Sequence, residues 1–150
     1  MTIFGKNWKE PPPFVIPARV YYEDTDASGV VYHANYLRYF ERARTEWLRH
    51  MGFGQQNLRG SLDVVFTVAN LRIDFLRPAR LDDALEVSVI VEQMRRASLE
   101  FRQELRRAGE TELLSRAHVR VACVEVATFR PVALPEPFIQ YVESLSEPTA

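Results

Sequence analysis

The apolar positions of this chain change period along its length, and the changes mark its elements. Val15 to Tyr22 is rich in β-branched and aromatic residues and predicts a first strand, closed by the acidic cluster Glu23-Asp24-Thr25-Asp26 and by Gly29. From about Tyr32 the apolar residues fall at three- and four-residue steps: Tyr36, Phe40, Ala43 and Trp47, with Leu37, Leu48 and Met51 alongside. That spacing predicts one amphipathic helix ending at Gly52. After a Gly/Gln/Asn-containing loop over 52–60, strand-like runs return at Val64 to Leu76, Ala84 to Met94, Ser98 to Arg107 and Glu112 to Val126. Turn signals separate them at Arg77-Pro78, Asp82-Asp83 and Ala108-Gly109-Glu110. Leu85, Val87, Val89 and Val91 alternate with Glu86, Ser88 and Glu92, and Ile90 breaks the pattern. A short run from Pro135 to Ser144 predicts a closing helical turn. Residues 1–13 are polar and end in three prolines, so they are expected to form a flexible arm, with a single domain over 14–145.

One helix with a strongly apolar face and a large antiparallel sheet can bury each other, which predicts an α+β layer architecture with five strands. The sheet's other face is then either solvated or covered by a second subunit. At 150 residues the chain has room for one domain and a core that needs no staples. Its 47% apolar and 26% charged residues exclude disordered and fibrous classes. A net charge of −1 gives no support for generic binding to nucleic acid or to an anionic membrane. The single cysteine, Cys123, cannot form an internal disulfide, and the cysteine and histidine spacings match no zinc framework. Lys6 and Lys9 are followed by Glu10-Pro11-Pro12-Pro13 rather than an apolar run, so no secretory signal is expected, and no apolar stretch reaches membrane-spanning length. A soluble, cytoplasmic protein is the expectation.

Candidate chemistry concentrates between Tyr22 and Tyr36. Glu23, Asp24 and Asp26 repel one another and raise at least one pKa unless each is solvated or hydrogen-bonded. One reading makes them helix-start acids, favoured by the helix dipole. The other pairs a carboxylate, as base or nucleophile, with free N–H groups at the helix start that polarise a carbonyl. Other candidates weigh less. His118 and Cys123 are oddly spaced on one strand, so they face opposite sides and form no nucleophile–base pair. Cys123 reads as a small buried residue, and Glu41 and Glu46 as helix-surface acids, with Glu41 a reserve catalytic carboxylate. Arg95-Arg96, at a strand end, is the kind of local site a phosphate needs.

The run Arg19-Val20-Tyr21-Tyr22-Glu23-Asp24-Thr25-Asp26-Ala27-Ser28-Gly29-Val30-Val31-Tyr32-His33-Ala34-Asn35-Tyr36, with Phe40 to Glu46, Asp74 to Ala79 and Arg95 to Ser98, resembles the acyl-CoA thioesterases of the hotdog fold. It is most similar to the branch associated with the Tol-Pal system, close to the 4-hydroxybenzoyl-CoA thioesterases. The likeness covers roughly positions 17–140. It implies a long helix wrapped by a five-stranded antiparallel sheet, dimers that often form homotetramers, and thioester hydrolysis without metal or cofactor. It places the catalytic carboxylate on Asp26 and the carbonyl-polarising backbone N–H on His33. Tyr32, Arg95, Arg96 and Ser98 become substrate-binding residues, the arginines at the nucleotide end of coenzyme A. Acyl-CoA is the implied substrate, preferably aliphatic, with acyl carrier protein as a further candidate partner. The competing reading is a non-catalytic module that binds acyl-CoA or acyl carrier protein. Replacement of Asp24 is expected to matter much less than replacement of Asp26. A hotdog dehydratase would need a His/Asp hydration site that the sequence lacks, and neither a serine nucleophile elbow nor a Gly-rich phosphate loop is present.

Overall fold

In the computed structural model, which describes residues 8–54, 60 and 62–146, the long helix lies against one sheet. The chain runs through β1 (Phe14–Arg19), a 3-10 turn (Tyr22–Asp24), α1 (His33–His50), β2 (Val64–Phe75), β3 (Ala84–Arg95), β4 (Ser98–Arg107), β5 (Leu113–Glu125) and α2 (Glu136–Ser144). The sheet order is β1-β3-β4-β5-β2, and every neighbouring pair is antiparallel. The sequence-predicted strands after the helix and the meander of β3, β4 and β5 are therefore present. Part of the loop over 52–60 lies outside the described residues.

The core forms between α1 and the inner face of the sheet. Tyr36, Phe40, Ala43 and Trp47 are buried, which accounts for the helical spacing of the apolar residues. A bulge in β3 between Val91 and Gln93 shifts the alternation, so Leu85, Val87, Val89 and Val91 face inward and the next inward residue is Met94. Gln103 is fully buried, yet both ends of its amide are satisfied: Nε2 donates to Phe40 O at 3.0 Å and Oε1 accepts from Arg44 at 2.9 Å. The helix stops as its sequence predicts. Gly52 takes φ +83°, its N–H reaches Arg49 O at 3.0 Å, and Phe53 N–H reaches Leu48 O at 2.9 Å, the paired bonds of a Schellman cap.

One expectation is corrected. β1 stops at Arg19 rather than Tyr22, because the Asp24 side chain accepts a hydrogen bond from Tyr21 N–H and folds Tyr22–Asp24 into a 3-10 turn. In the described part of the N-terminal segment, Trp8 packs against the core, Lys9 N–H bonds Ser146 Oγ at 2.8 Å, and Glu10 pairs with Arg102. Residues 1–7 lie outside the described residues. Among those described, no helix is long and apolar enough to cross a membrane.

Cys123 is buried, and burial pushes its thiol pKa up to about 11, while His118 on the opposite face is half exposed. The outer face of the sheet carries ion pairs, Arg102 with Glu92 at 2.8 Å and Arg116 with Asp74 at 3.0 Å, which contribute little to stability when this exposed. The far end of the core is aromatic. Phe138 of α2 is fully buried and meets Trp47, Phe53 and Phe66 at ring separations of 5.2 to 6.2 Å. Phe138→Ala is expected to cost about 3–5 kcal/mol in denaturant unfolding, whereas Tyr141→Ala, on the exposed side of α2, costs about 1 kcal/mol or less.

Candidate active site

The connection from β1 to α1 doubles back on itself. Thr25 and Val31 form a bridge, Asp26 N–H bonds Val30 O at 2.9 Å, and Gly29 N–H bonds Asp26 O at 3.0 Å. Gly29 takes φ +83°, a region that other residues enter only with strain, which is why the turn requires glycine there. Val31 N–H then bonds Ala79 O at 2.8 Å, and the Tyr36 hydroxyl accepts from Ala79 N–H at 3.0 Å. These contacts pin the turn and the start of α1 to the segment that follows β2.

Asp26 sits on this turn, exposed to solvent. Its Oδ1 accepts from both the backbone N–H and the hydroxyl of Ser28, a local Asx turn. The Ser28 hydroxyl, then its N–H, hold the carboxyl below the usual carboxylate range, with His33 adding a minor push the same way. Hydrogen bonding thus outweighs the small desolvation that opposes it, and Asp26 is ionised at neutral pH. The Val30 N–H, also beside the carboxylate, lowers its pKa further.

His33 is the first residue of α1, and Tyr32 before it supplies no side-chain cap. Asn35 N–H is taken by Tyr32 O at 2.8 Å, while among the described residues the His33 N–H meets no acceptor. An uncapped first-turn amide is an available donor for an anion. Tyr32, Phe75 and His33 form an aromatic rim, with ring separations of 4.5 Å for Tyr32 to His33 and 6.3 Å for His33 to Phe75. Asp26 and His33 share an open groove of about 330 Å³ with Val30, Val31, Tyr36, Phe75, Leu76, Arg77 and Pro78.

Asp24 departs from its neighbour. It is buried, with its carboxylate bonded to Tyr21 N–H and Asn35 Nδ2, each at 2.8 Å. The buried Tyr39 hydroxyl beside it has no well-formed hydrogen bond, and burial followed by the Asp24 carboxylate raises its pKa far above that of a free tyrosine. Ser28, Asn35 and Tyr39 are the site's residues that sequence reasoning missed. For Ser28 a signal was available, since Asp-x-Ser-Gly has the composition of an Asx turn.

The remaining candidates lie elsewhere. Arg95 and Ser98 face each other across the two-residue hairpin that joins β3 to β4. Ser98 pairs with Ala122 near the end of β5, whereas Phe75, beside Asp26, pairs with Ser115 near its start. At ~3.3 Å per residue those positions are about 23 Å apart. One chain therefore does not bring Arg95, Arg96 and Ser98 together with Asp26. Arg95 is paired with Glu100 at 2.8 Å, and exposed Arg96 makes no ion pair with the described residues. Glu41 lines a separate cavity of about 350 Å³ between α1 and β2, with Arg44, Phe66 and Val68, eight residues and about 12 Å along the helix from His33. Glu46 pairs with Arg49. Among the described residues, no cluster of three His, Cys, Asp or Glu side chains is arranged to hold a metal ion.

Comparison with known proteins places this architecture. The thioesterase superfamily profile matches residues 28–114. The acyl-CoA thioesterase YbgC of Haemophilus influenzae is 50% identical over 123 residues, covering 82% of this chain and 89% of that protein. The crystal structure of a probable thioesterase from Bartonella henselae is 35% identical, superposes with a TM-score of 0.78, and covers 83% of this chain and all of that one. A 1,4-dihydroxy-2-naphthoyl-CoA thioesterase from Synechocystis is 28% identical with a TM-score of 0.83, covering 91% of this chain and 100% of that one. The chain belongs to the thioesterase superfamily, and the helix enclosed by its five-stranded antiparallel sheet is the hotdog fold of those enzymes.

Proposed function

We propose that this enzyme hydrolyses acyl-CoA thioesters, with Asp26 as general base or nucleophile and the His33 backbone N–H as the donor to the carbonyl oxygen. The observation that carries the reading is the pairing, in one groove, of an exposed carboxylate held ionised and an uncapped helix N-terminus. Ser28 anchors the carboxylate through Oδ1, and the side chain remains exposed to the groove. A thioester needs little more, because its thiol leaving group has a pKa of about 8.5 by analogy with cysteine. The carboxylate either takes a proton from the attacking water or attacks the carbonyl carbon itself, giving a mixed anhydride that water opens. On both routes negative charge builds on the carbonyl oxygen, where the His33 N–H stabilises it. Collapse of the tetrahedral intermediate expels the thiolate, which on the first route gives the acid and on the second gives the anhydride that water then opens, and the thiolate is protonated from solvent. Val30, Val31, Phe75, Leu76 and Pro78 along the groove suit an aliphatic acyl group, carried by coenzyme A or by acyl carrier protein. A module that merely bound acyl-CoA would have no use for a carboxylate kept ionised beside free helix amides.

The active unit on this reading is a homodimer formed along β2. The sheet has two edges. β1 is six residues long and contains Pro17, a poor template for pairing, whereas β2 runs for twelve residues without proline and exposes Val68, Leu71 and Phe75. Two copies of β2 paired antiparallel about a two-fold axis bring the partner's β3–β4 hairpin to the end of the sheet that holds Asp26. Arg95, Arg96 and Ser98 of one subunit then meet the nucleotide end of a coenzyme A whose thioester lies at the other subunit's Asp26. The buried thiol of Cys123 is compatible with a reducing cytoplasm.

Asp26→Asn keeps the side chain's size and removes its basicity, so thiol release from straight-chain acyl-CoAs is expected to fall by about 10²–10⁴-fold in a variant that remains folded by circular dichroism. A near-normal rate refutes the assignment. Because the folded-state pKa of Asp26 is depressed, the base form persists as pH falls, and kcat/KM should be lost only below the usual carboxylate range. An acid limb at pH 6 to 7 would instead point to a histidine.

Removing both Arg95 and Arg96 is expected to raise KM for an acyl-CoA by about tenfold or more per lost charge-assisted contact. The matching pantetheine ester, which lacks the nucleotide, should be almost unaffected. Equal losses for the two esters would mean that the arginines act on structure rather than on phosphate.

A further inference from the structure

Sequence reasoning treats Asp24 as the lesser member of the Asp-x-Asp pair, but its surroundings give it a different task. It is 6% exposed. Its two carboxylate oxygens reach opposite sides of the turn that carries Asp26. Oδ2 accepts from Tyr21 N–H, ahead of that turn, and Oδ1 accepts from Asn35 Nδ2, in the first turn of α1, each at 2.8 Å. The backbone of Asp24 repeats the link. Its carbonyl accepts from Tyr32 N–H at 2.9 Å, immediately before His33, and its own N–H bonds Tyr21 O at 3.0 Å.

One residue therefore ties both ends of the segment that carries the carboxylate and the helix amide. A carboxylate that only closed a local turn would bond only its own neighbours, whereas the Asn35 contact spans eleven positions. The buried Tyr39 ring lies beside it, and the bond to Asn35 is itself buried, which strengthens that charge-assisted contact. We propose that Asp24, acting through Asn35, is the positioning residue that sets the separation of the Asp26 carboxylate from the His33 N–H. This rests on the roles given above to Asp26 and His33.

The hydrogen-bond inventory makes the proposal testable by a swap. In Asp24→Asn the amide oxygen keeps the Tyr21 N–H, and the new NH2 keeps a bond to position 35 only if the Asn35 amide turns its oxygen inward, so two charge-assisted bonds become neutral ones and Asn35 must reorient. In Asn35→Asp two carboxylates meet. In the double variant the amide introduced at position 24 accepts from Tyr21 N–H and donates to the carboxylate introduced at position 35, so both bonds return with their direction across the pair reversed. The experiment measures kcat, KM and thermal midpoint for the four proteins on one acyl-CoA. Asn35→Asp is expected to lower kcat by about 10²-fold, as a misplacement of about 1 Å can, and Asp24→Asn by at least about tenfold, with KM changed only about twofold in each. The double variant should recover to within about fivefold of the wild-type kcat. Singles that keep kcat, or a double whose loss is the product of the two, would overturn the proposal. Should the singles not fold, Asn35→Ala removes one bond without adding charge. A drop in kcat of about tenfold in that variant at constant KM supports the proposal, and an unchanged kcat sinks it. If Asp26→Asn itself keeps the wild-type rate, the assignment beneath the proposal has failed. If Asp26→Asn is inactive and the swap shows no coupling, the positioning role alone has failed.

Discussion

The molecule depends on burying one face of a single long helix against one face of a single sheet. Tyr36, Tyr39, Phe40, Ala43 and Trp47 form the stripe that α1 must hide, and a large apolar side chain such as Phe40 contributes about 1.5–3 kcal/mol when removed from water. Where α1 lies then fixes where its first turn emerges. His33 appears at the sheet end that holds the last residue of β2. The Asp26 turn is the short connection that brings the chain from β1 into that position, and the core's packing requirement is thus what leaves a carboxylate and an uncapped amide in one groove. The outer face of the sheet, with its ion pairs among Glu92, Arg102 and His118, takes no part in that core.

The elements were legible because their periods are clean. Stripes at 3.6 and at 2 residues separate α1 from the strands, and Gly52 ends the helix through the left-handed backbone it adopts. The first strand was read too long because Val20, Tyr21 and Tyr22 have strand composition, while what ends β1 is a side-chain contact made by a residue further on, Asp24. In the same way, Asp24 and Asp26 look equivalent in a sequence. Their opposite fates follow from Asn35 and Tyr21 on one side and Ser28 on the other, and only the Ser28 contact, an Asx turn, has a signature in local spacing. The packing of Trp8 on the core was hidden for a related reason, since three prolines following it suggest a loose segment whatever the tryptophan touches.

Arg95 and Arg96 pose the harder case. Their composition marks a phosphate site, yet antiparallel connections carry them to the end of the sheet away from Asp26. A sequence records the order of strands but not which edge receives a second copy. In the dimer proposed along the long, proline-free β2 edge, antiparallel pairing of two such strands would exchange the ends of their sheets and so close the separation.

The central claim is that each site is built from the carboxylate of one subunit and the arginines of its partner, and mixed dimers test it directly. Asp26→Asn protomers and Arg95→Ala/Arg96→Ala protomers are each defective as homodimers. Subunit exchange between equal amounts of the two makes half the dimers mixed, and every mixed dimer holds one site with both parts intact. Activity on an acyl-CoA at a concentration below the variants' KM should recover to about a quarter of the wild-type level. If exchange is verified by mass spectrometry and activity stays at the average of the two parent proteins, the site lies within one chain and the account is wrong.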